Sequence, residues 1–495
     1  MEQERFRLST VTDRVTSKNP DRARWADVRL HALVVGLIVV CYYSESSWVT
    51  LVFGGILCFP TYLYLGFREG RRSPLWFSPL SFYFFWYSIG LGISAIYMGS
   101  VVSSGEWVGF SVARIPPEDI ATGYVIYVIG SVALHAGIQW FRPTVSDNSI
   151  AAKPDLSVKR LNWLIVLWVL GLVNSWAPNW LAFLGAFSGV FNWVSFAATA
   201  AFAILPREWF RLSRAAFTMV LVIATIGLLA ANLQAGSKAF IMFSFIPVIW
   251  LFIIRQPLRR WLPVFVLTLS VFYLGIVAPI MASARQMSLK SSDSTASLFI
   301  NSFRIWDWAD TEQYSSDFYW QQTDQFLRRQ FDPIAPAYLV GDVRNNGFQL
   351  GSTMVYVWYA FIPRLIWPEK PSVTRGAWFA TYIGFAKSEE EATTSLGITA
   401  TGEVYWNYGI PGVIIGMFII GCLLGQLWRL AGSDPRRQPL RMILYCLIML
   451  NMPNMPEAVT VTHYIIIYFL IFKAAFFALS LTAHSKKEGH VAIAS

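Results

Sequence analysis

The chain contains 495 residues, of which 55% are hydrophobic and only 14% are charged. Together with a mean hydropathy of +0.47, this composition excludes an ordinary water-soluble globular protein, whose surface does not tolerate so many apolar residues. The net charge of +10 comes from short basic clusters between apolar blocks. Such clusters set the orientation of a membrane protein and predict no nucleic-acid partner.

Twelve apolar blocks follow one another along the chain, and most are long enough to cross the roughly 30 Å hydrocarbon core of a bilayer. Bilayer interiors admit helices because a helix satisfies its own backbone hydrogen bonds. The sequence therefore predicts an all-α polytopic membrane protein with about 12 transmembrane helices. The blocks are Leu30–Tyr43, Trp48–Phe67, Trp76–Met98, Ala121–Phe141, Leu161–Trp176, Trp180–Leu205, Ala215–Ala231, Ala239–Ile254, Trp261–Met281, Ile410–Trp428, Met442–Met452 and Ala458–Ala483.

Basic residues alternate with these blocks and predict the orientation. Arginine and lysine crowd residues 1–29 and every second connecting segment, whereas the opposite segments hold almost none before Ala284. By the positive-inside rule both tails, 1–29 and 484–495, are predicted to be cytoplasmic. Transmembrane helices 1–9 then occupy 30–283, and helices 10–12 occupy 407–483.

The segment between them, 284–406, is predicted to be one large periplasmic loop. Loops of this length are usually functional or disordered, and the many aromatic residues here argue against disorder. Ser352–Trp367 is apolar, but a thirteenth span would turn the basic cluster Arg429–Arg441 outward. We therefore interpret Ser352–Trp367 as an interfacial or re-entrant helix.

The first half of the loop interleaves aromatic and acidic side chains between Asn301 and Phe331. Aromatic faces stack on sugar rings and carboxylates accept hydrogen bonds from hydroxyl groups, so Trp306 and Trp308 are predicted to bind carbohydrate. The alternative is an amphipathic helix lying at the membrane interface, which uses the same aromatic residues.

The second half of the loop contains the stretch PRLIWPEKP, Pro363–Pro371, which is followed by Arg375. Cations held on a proline-stiffened backbone suit a lipid-linked phosphate or pyrophosphate. The alternative is that these cations only touch ordinary lipid headgroups. The predicted phosphate-binding cations are Arg364, Lys370 and Arg375, with Lys238 and Arg285 at the outer ends of two earlier spans. Arg344 in the same loop is predicted to bind substrate.

The stretch TATGEVYWNYGIPG, which begins at Thr399, places Glu403 just before a span. A carboxylate in a partly dry pocket lined by cations is a candidate general base, and the alternative is a salt-bridge partner for an arginine. Tyr405 and Asn407 are predicted to bind substrate or to anchor the helix. His463 adds a polar group in the last span, where a lone histidine more often bonds a neighbouring helix.

Two kinds of site are not predicted. The outer loop has no histidine and no dense carboxylate cluster, so a tightly bound metal is not expected. The cytoplasmic segments are too short for a nucleotide-binding domain and carry no phosphate-loop or dinucleotide motif. No cofactor is therefore expected.

PRLIWPEKP, TATGEVYWNYGIPG and, more weakly, the Gly236–Lys238 stretch GSK make the chain resemble the Wzy-type oligosaccharide repeat-unit polymerases. The resemblance covers the last half of the chain well and the first half only by hydropathy. It implies a GT-C-like glycosyltransferase at the outer face of the bacterial inner membrane that needs neither metal nor nucleotide sugar. Its partners would be an undecaprenyl-pyrophosphate-linked oligosaccharide, membrane lipids and a Wzz-type chain-length regulator.

On this resemblance Arg285, Arg364 and Lys238 would neutralise the departing pyrophosphate. Lys370 and Arg375 would hold the second lipid carrier, and Glu403 would orient or deprotonate the attacking hydroxyl group. The related ligases resemble this chain but use an outer-loop histidine, which is missing here, so the general base stays open. The alternatives are a lipid-linked oligosaccharide flippase, an O-antigen ligase-like transferase and a non-catalytic assembly subunit.

Overall fold

A computed structural model describes residues 20–73, 78–105, 115–143, 316–360, 376–384, 397–432, 439–452 and 457–492, with a few isolated positions between them. Every regular element in these ranges is helical, which agrees with the predicted all-α class. The helices are α1 Pro20–Ser44, α2 Ser47–Arg72, α3 Pro79–Tyr87, α4 Ser94–Ser103, α5 Pro117–Phe141, α6 Ser316–Gln330, α7 Ile334–Asn346, α8 Val357–Ala360, α9 Gly376–Tyr382, α10 Ala400–Ala431, α11 Pro439–Asn451 and α12 Ala458–Ala492.

Six stretches of these helices are long and apolar enough to cross a membrane. A π-helical turn, Ser88–Ile93, joins α3 and α4 into one such stretch. Seven of the twelve predicted spans fall in the described ranges, and the five between Leu161 and Met281 lie outside them. The spanning stretches are Ala23–Ser44, Ser47–Arg72, Pro79–Ser103, Pro117–Phe141, Ala400–Ala431 and Ala458–Phe477.

The seventh predicted span in these ranges, Met442–Met452, is part of the 13-residue helix α11. At 1.5 Å per residue this helix is about 20 Å long, which is shorter than the roughly 30 Å hydrocarbon core. Proline explains its limits, since Pro439 begins the helix and Pro453 follows its end. By length, α11 does not cross a bilayer alone.

The most extensive helix pair is α5 with α10, and glycine makes it close. A Cβ atom on Gly137 would overlap the Phe418 carbonyl oxygen and lie 2.8 Å from Cys422 N. A Cβ atom on Gly421 would lie 3.1 Å from the Cα atom of Gly137. Small residues let two membrane helices approach until their backbones touch, and this contact fixes α10 against α5.

One end of the bundle, which we call the arginine end, is held by buried ion pairs. Asp27 of α1 pairs with Arg68 and Arg72 of α2, each at 2.5 Å. Glu69 pairs with Arg72 at 2.7 Å and also with Arg142 after α5. Arginine residues from separate predicted cytoplasmic segments thus meet at one end. That this end faces the cytoplasm stays a prediction.

The opposite end, which we call the loop end, is covered by part of the predicted large loop. Helix α7 packs on α5 because a Cβ atom on Gly123 would lie 2.7 Å from Pro333 O and Ala337 N. Phe331, just before α7, is fully buried and stacks on Tyr124 of α5, with 6.1 Å between ring centroids. This part of the loop is therefore packed into the bundle.

The predicted interfacial helix at Ser352–Trp367 is described only up to Ala360 and at two positions beyond, Ile362 and Trp367. It consists there of a 3₁₀ turn, Ser352–Met354, and the four-residue helix α8. Trp358 of α8 is 74% exposed, which suits an aromatic side chain at a membrane interface. The described part is thus two short helical turns in place of one continuous helix.

Candidate functional site

Helix α10 is two helices that meet at a reversal. Gly409 has φ 65° and ψ −154°, which is not helical, and Pro411 follows it. Val404 lies against Gly412 and Gly416, and Thr401 Oγ1 contacts Met417 Sδ at 3.6 Å. Residues 400–408 therefore run back alongside the start of residues 410–431. We call residues 400–408 the half-helix.

Both ends of the half-helix are capped. Thr399, whose φ of 64° is unusual for a residue with a side chain, accepts a hydrogen bond from Gly402 N at 3.2 Å. At the other end the carbonyl groups of Trp406 and Asn407 accept hydrogen bonds from the backbone N–H groups of residues 349 and 350, at 3.0 and 3.2 Å. The short helix thus satisfies the terminal backbone groups that would otherwise lack partners.

The half-helix begins inside the bundle. A Cβ atom on Gly130, near the middle of α5, would lie 2.9 Å from the Thr401 side chain. Further along, the Trp406 indole N–H donates to Asp342 Oδ2 at 2.6 Å, in the α7 turn that also contacts the loop end of α5. The half-helix therefore rises from the level of the α5 midpoint towards the loop end.

Glu403 lies in the first turn of the half-helix and is fully buried. Its Oε1 atom accepts hydrogen bonds from Tyr356 at 3.2 Å and from Thr353 at 3.4 Å. Its Oε2 atom accepts the backbone N–H of Val459 at 3.2 Å, in the first turn of α12. The carboxylate thus lies where two helix N-termini converge, and both favour a negative charge there.

Asn407 continues this polar cluster towards the loop end. Its side-chain amide donates to Thr353 Oγ1 at 2.6 Å and to the Glu403 carbonyl at 2.8 Å, and its Oδ1 accepts from Gly351 N at 2.7 Å. Residues 349–356 of the loop are therefore fixed to the half-helix by side chains of Glu403 and Asn407 together.

Trp406 fixes a second loop segment to the same half-helix. Its indole ring packs against Trp378, Phe379 and Tyr382 of α9, with ring centroids 5.9, 6.4 and 5.2 Å away. Tyr382 also donates to Asp342 Oδ1 at 3.0 Å, and burial followed by this hydrogen bond raises the pKa of Tyr382 to about 12. Residues 349–356, which precede α8, and helix α9 are therefore both anchored on the half-helix.

PRLIWPEKP lies between these two anchored segments. Within it the Trp367 ring packs edge-on against Tyr359 of α8, with 5.9 Å between centroids. Ile362 N, just before the motif, donates to Tyr359 O at 3.0 Å. The described parts of the molecule thus anchor the segments that flank PRLIWPEKP on the half-helix of TATGEVYWNYG, and most of Pro363–Arg375 lies outside those parts.

The other predicted site residues in the described ranges lie on α7, the half-helix and α12, and Tyr405 of the half-helix interacts electrostatically with Arg344 of α7. Arg344 is 56% exposed and pairs with the buried Asp119 carboxylate at the start of α5. Tyr405 is half-buried and packs edge-on against Phe348 at 6.4 Å. His463 lies one helical turn beyond Val459 on α12, next to the ring of Tyr464. The remaining predicted site residues lie outside the described part of the chain: Lys238, Arg285, Trp306, Trp308, Arg364, Lys370 and Arg375.

A separate cavity of about 400 Å³ lies between α4 and α6. Trp320, which is 60% exposed, packs edge-on against Tyr97 at 6.2 Å. Asp324 Oδ1 accepts hydrogen bonds from Tyr97 OH and from Arg328 Nε, each at 2.5 Å. An exposed indole beside hydroxyl, carboxylate and guanidinium groups suits a sugar ring. Ser100, Val101, Ser104 and Gln321 complete the lining.

Sequence reasoning did not identify Thr353, Tyr356 or the Val459 N–H as partners of Glu403. These groups are about fifty residues from Glu403, and no local pattern links them. It also missed buried polar side chains at every fourth position of α5, for which the regular spacing was an available signal.

No curated protein matches the chain, and no solved structure does. The profile of one protein family, described as Domain of unknown function (DUF8712), matches residues 109–433, well over half of the chain. The matched region begins just before α5 and ends just after α10, so it includes the half-helix and the loop segments fixed to it. The chain belongs to the DUF8712 family.

Proposed function

We propose that the protein is a membrane glycosyltransferase that polymerises lipid-linked oligosaccharide repeat units at the loop end of the bundle. The observation that carries the proposal is a shared anchor: the segments flanking PRLIWPEKP are both fixed to the half-helix of TATGEVYWNYG. Two motifs whose surroundings share one anchor fit a single reaction site better than two unrelated surface features.

The anchor limits where the proposed phosphate-binding cations can lie. Arg364 follows Ala360 by four residues, which span at most about 14 Å even when fully extended. Arg375 directly precedes α9, whose Phe379 packs on Trp406. In the proposal these two arginines bind the pyrophosphate of the lipid carriers, because guanidinium groups bind phosphate bidentately.

Glu403 takes a positioning role in this proposal. A general base must reach the proton that it abstracts, and the Glu403 carboxylate is fully buried with hydrogen bonds to Thr353, Tyr356 and Val459. Its contacts hold the loop against the half-helix, and the arginines before α9 depend on that arrangement. The cavity lined by Trp320 and Asp324 is then a place for the sugar chain.

The test is polymerisation by purified protein in nanodiscs that contain the lipid-linked repeat unit, with EDTA and without nucleotide sugar. The wild type is expected to give a ladder of glycan lengths, and Arg364→Ala is expected to lose it. Arg329→Ala is the matched control, since Arg329 is an exposed arginine of the same loop. Absence of a ladder from folded wild type, or equal ladders from both variants, would contradict the proposal.

A lipid-linked oligosaccharide flippase is the second candidate, and the helix reversal at Gly409 favours it. Interrupted helices with polar groups near the middle of the bundle are typical of transporters, and the half-helix begins at the level of the α5 midpoint. Reconstituted protein that moves the lipid-linked unit across a vesicle membrane without extending it would identify the flippase. Extension without movement would exclude it.

A further inference from the structure

Polar side chains recur at every fourth position of α5, at Tyr127, Ser131, His135 and Gln139. Residues four apart lie on one face of a helix, so these side chains form a single row about 18 Å long. All four residues are buried. Ionisable and polar groups inside a membrane bundle are costly and are functional candidates by default.

Five side chains of this region form one continuous hydrogen-bonded chain. Gln139 Nε2 lies 3.0 Å from His135 Nε2, and His135 Nδ1 lies 3.3 Å from His31 Nδ1. His31 Nε2 lies 3.0 Å from Tyr62 OH, and Tyr62 OH lies 2.9 Å from Ser131 Oγ. Ser131 Oγ also lies 3.2 Å from His31 Nε2, so His31 reaches Ser131 both directly and through Tyr62. The chain therefore links α1, α2 and α5 through their buried faces.

The orientation of the Gln139 amide gives the chain one direction. An amide N–H of Gln139 can only donate, so His135 Nε2 accepts and its hydrogen lies on Nδ1. His135 Nδ1–H then donates to His31 Nδ1, and His31 Nε2–H donates towards Tyr62. Tyr62 donates to Ser131, which donates to the Val128 carbonyl at 2.7 Å. From His135 to Ser131, each group accepts one hydrogen and donates another.

Polar groups continue the row at both ends. Towards the arginine end Glu69, Arg72 and Arg142 follow, and the positive charges of both arginines disfavour a positive charge on His135. Gln139 Oε1 has no hydrogen-bond partner within the described ranges and is free to bind a water molecule that exchanges protons with His135.

Towards the loop end a second chain begins one turn away. Tyr87 OH lies 2.8 Å from Tyr127 OH, which donates to Asp332 Oδ2 at 3.3 Å. Tyr83 interacts electrostatically with both Tyr62 and Asp332. Burial raises the pKa of Asp332 to about 6 against the opposing hydrogen bonds from Tyr87 and Tyr127, so this carboxyl group can exchange protons near neutral pH.

The remaining groups that face the two histidines do not interrupt the row. From α3 the Phe84 ring packs edge-on against both, with centroids 5.9 and 5.0 Å away. Cys58 of α2 lies next to Tyr62 and Tyr124. Asp27 lies one turn before His31 on α1 and is paired with arginines at the arginine end.

We propose that this row is a proton-transfer path between the arginine end and the loop end, and that the protein conducts protons through it. The geometry that carries the proposal is the directed chain from His135 to Ser131, with titratable groups beyond each end. Polar side chains that only hold helices together need to hydrogen-bond in pairs. They do not need to form a chain in which each member both accepts and donates a hydrogen bond. The proposal is independent of the glycosyltransferase proposed above.

The transfer balances. Once the Gln139 amide has released its hydrogen bond, a proton from water adds to His135 Nε2, and His135 releases its Nδ1 proton to His31 Nδ1. His31 releases its Nε2 proton to the Tyr62 oxygen as Tyr62 gives its own proton to Ser131. Ser131 then turns its hydroxyl hydrogen from the Val128 carbonyl to a water molecule, which carries a proton towards Tyr127 and Asp332. One positive charge crosses, and the donors must then turn back before the next proton follows.

The test is proton flux into vesicles that contain the purified full chain and an internal pH-sensitive dye, with the membrane potential clamped by potassium and valinomycin. Wild type is expected to acidify the interior faster than protein-free vesicles. His135→Gln, which keeps size and most packing, is expected to lower the rate about a hundredfold, the order of loss for a positioned acid–base group. Tyr62→Phe is expected to lower the rate less, because His31 Nε2 also contacts Ser131 directly.

Ser94→Ala is the matched control, because Ser94 is a buried hydroxyl residue of the same bundle away from the row. It is expected to conduct like the wild type. Wild-type vesicles that acidify no faster than protein-free ones would overturn the proposal. So would a His135→Gln protein that unfolds like the wild type and conducts equally fast.

Discussion

The contact of α5 with α10 can be tested by adding one methyl group to Gly421. A Cβ atom there would overlap the Leu134 carbonyl oxygen and lie 3.1 Å from both the Gly137 Cα atom and Ile138 N. These neighbours are backbone atoms of a helix, so no side chain can move aside. Gly421→Ala therefore has to push the two helices apart.

The expected cost follows from two opposing effects. Overpacking a tight interior costs about 1–3 kcal/mol, and replacing glycine by alanine within a helix returns about 1 kcal/mol. We expect Gly421→Ala to lower the free energy of unfolding by about 1 kcal/mol net. Gly36→Ala on α1 is the matched control: a Cβ atom there meets nothing within 4 Å, so only the helix gain of about 1 kcal/mol remains.

The assay is reversible unfolding in mixed micelles of mild detergent and dodecyl sulfate, compared among Gly421→Ala, Gly137→Ala, the double variant and Gly36→Ala. Both methyl groups enter the same contact between α5 and α10, so the separation of the helices that one methyl group causes also makes room for the other. The double variant should therefore cost less than the sum of the single variants, by about 0.5 kcal/mol or more. Gly421→Ala that stabilises as much as Gly36→Ala would refute the close contact.

Four further predictions concern buried polar groups and the sugar cavity. Glu403→Gln keeps most of the hydrogen bonds and should lower the free energy of unfolding by about 1 kcal/mol, whereas Glu403→Ala should lower it more. Glycan ladders should persist with Glu403→Gln, and their loss from folded Glu403→Gln protein would make Glu403 a base. Glu69→Gln leaves Arg142 poorly paired and should lower the free energy of unfolding by about 3 kcal/mol in the same assay. An unchanged unfolding midpoint would contradict this prediction. The folded-state pKa of Asp332 is raised to about 6, so the folded protein binds more protons and loses stability as pH rises between about 4 and 6; Asp332→Asn should flatten that fall in unfolding midpoints measured across this range. Trp320→Ala should raise KM for the lipid-linked unit about tenfold and leave kcat unchanged, because a lost stacking contact costs about 1.4 kcal/mol of binding free energy. An unchanged KM would show that the cavity is not part of the sugar site.

Helix positions on the apolar blocks were predictable because membrane spans are set by length and hydropathy alone. The block Ala121–Phe141 is helix α5 from Pro117 to Phe141, and its extra turn holds Asp119, which a hydropathy limit excludes. Met442–Met452 was predicted as a span although its helix is about 20 Å long, because hydropathy does not measure where proline ends a helix.

The reversal at Gly409 was beyond this kind of reasoning. The predicted span begins at Ile410 and the predicted loop ends at residue 406, so the half-helix was divided between them. Gly409 and Pro411 are visible in the sequence, but whether glycine adopts positive φ depends on the contacts around it. Likewise, the hydrogen bonds of Glu403 with Thr353 and Tyr356 arise from folding of the loop onto the bundle, which no local pattern encodes.

The polar row on α5 was hidden for a different reason. Helix α5 is apolar enough on average to read as a membrane span. One polar residue in four lowers that average only slightly, so hydropathy does not reveal the row. A search for polar residues at every fourth position does reveal it. The row also bears on function. A transferase driven by its pyrophosphate leaving group has no need of protons from the opposite side of the membrane, whereas a transporter does. Glycan ladders together with proton flux would therefore mean a polymerase coupled to the proton gradient. Flux accompanied by movement of the lipid-linked unit, without ladders, would make the half-helix part of a transport path.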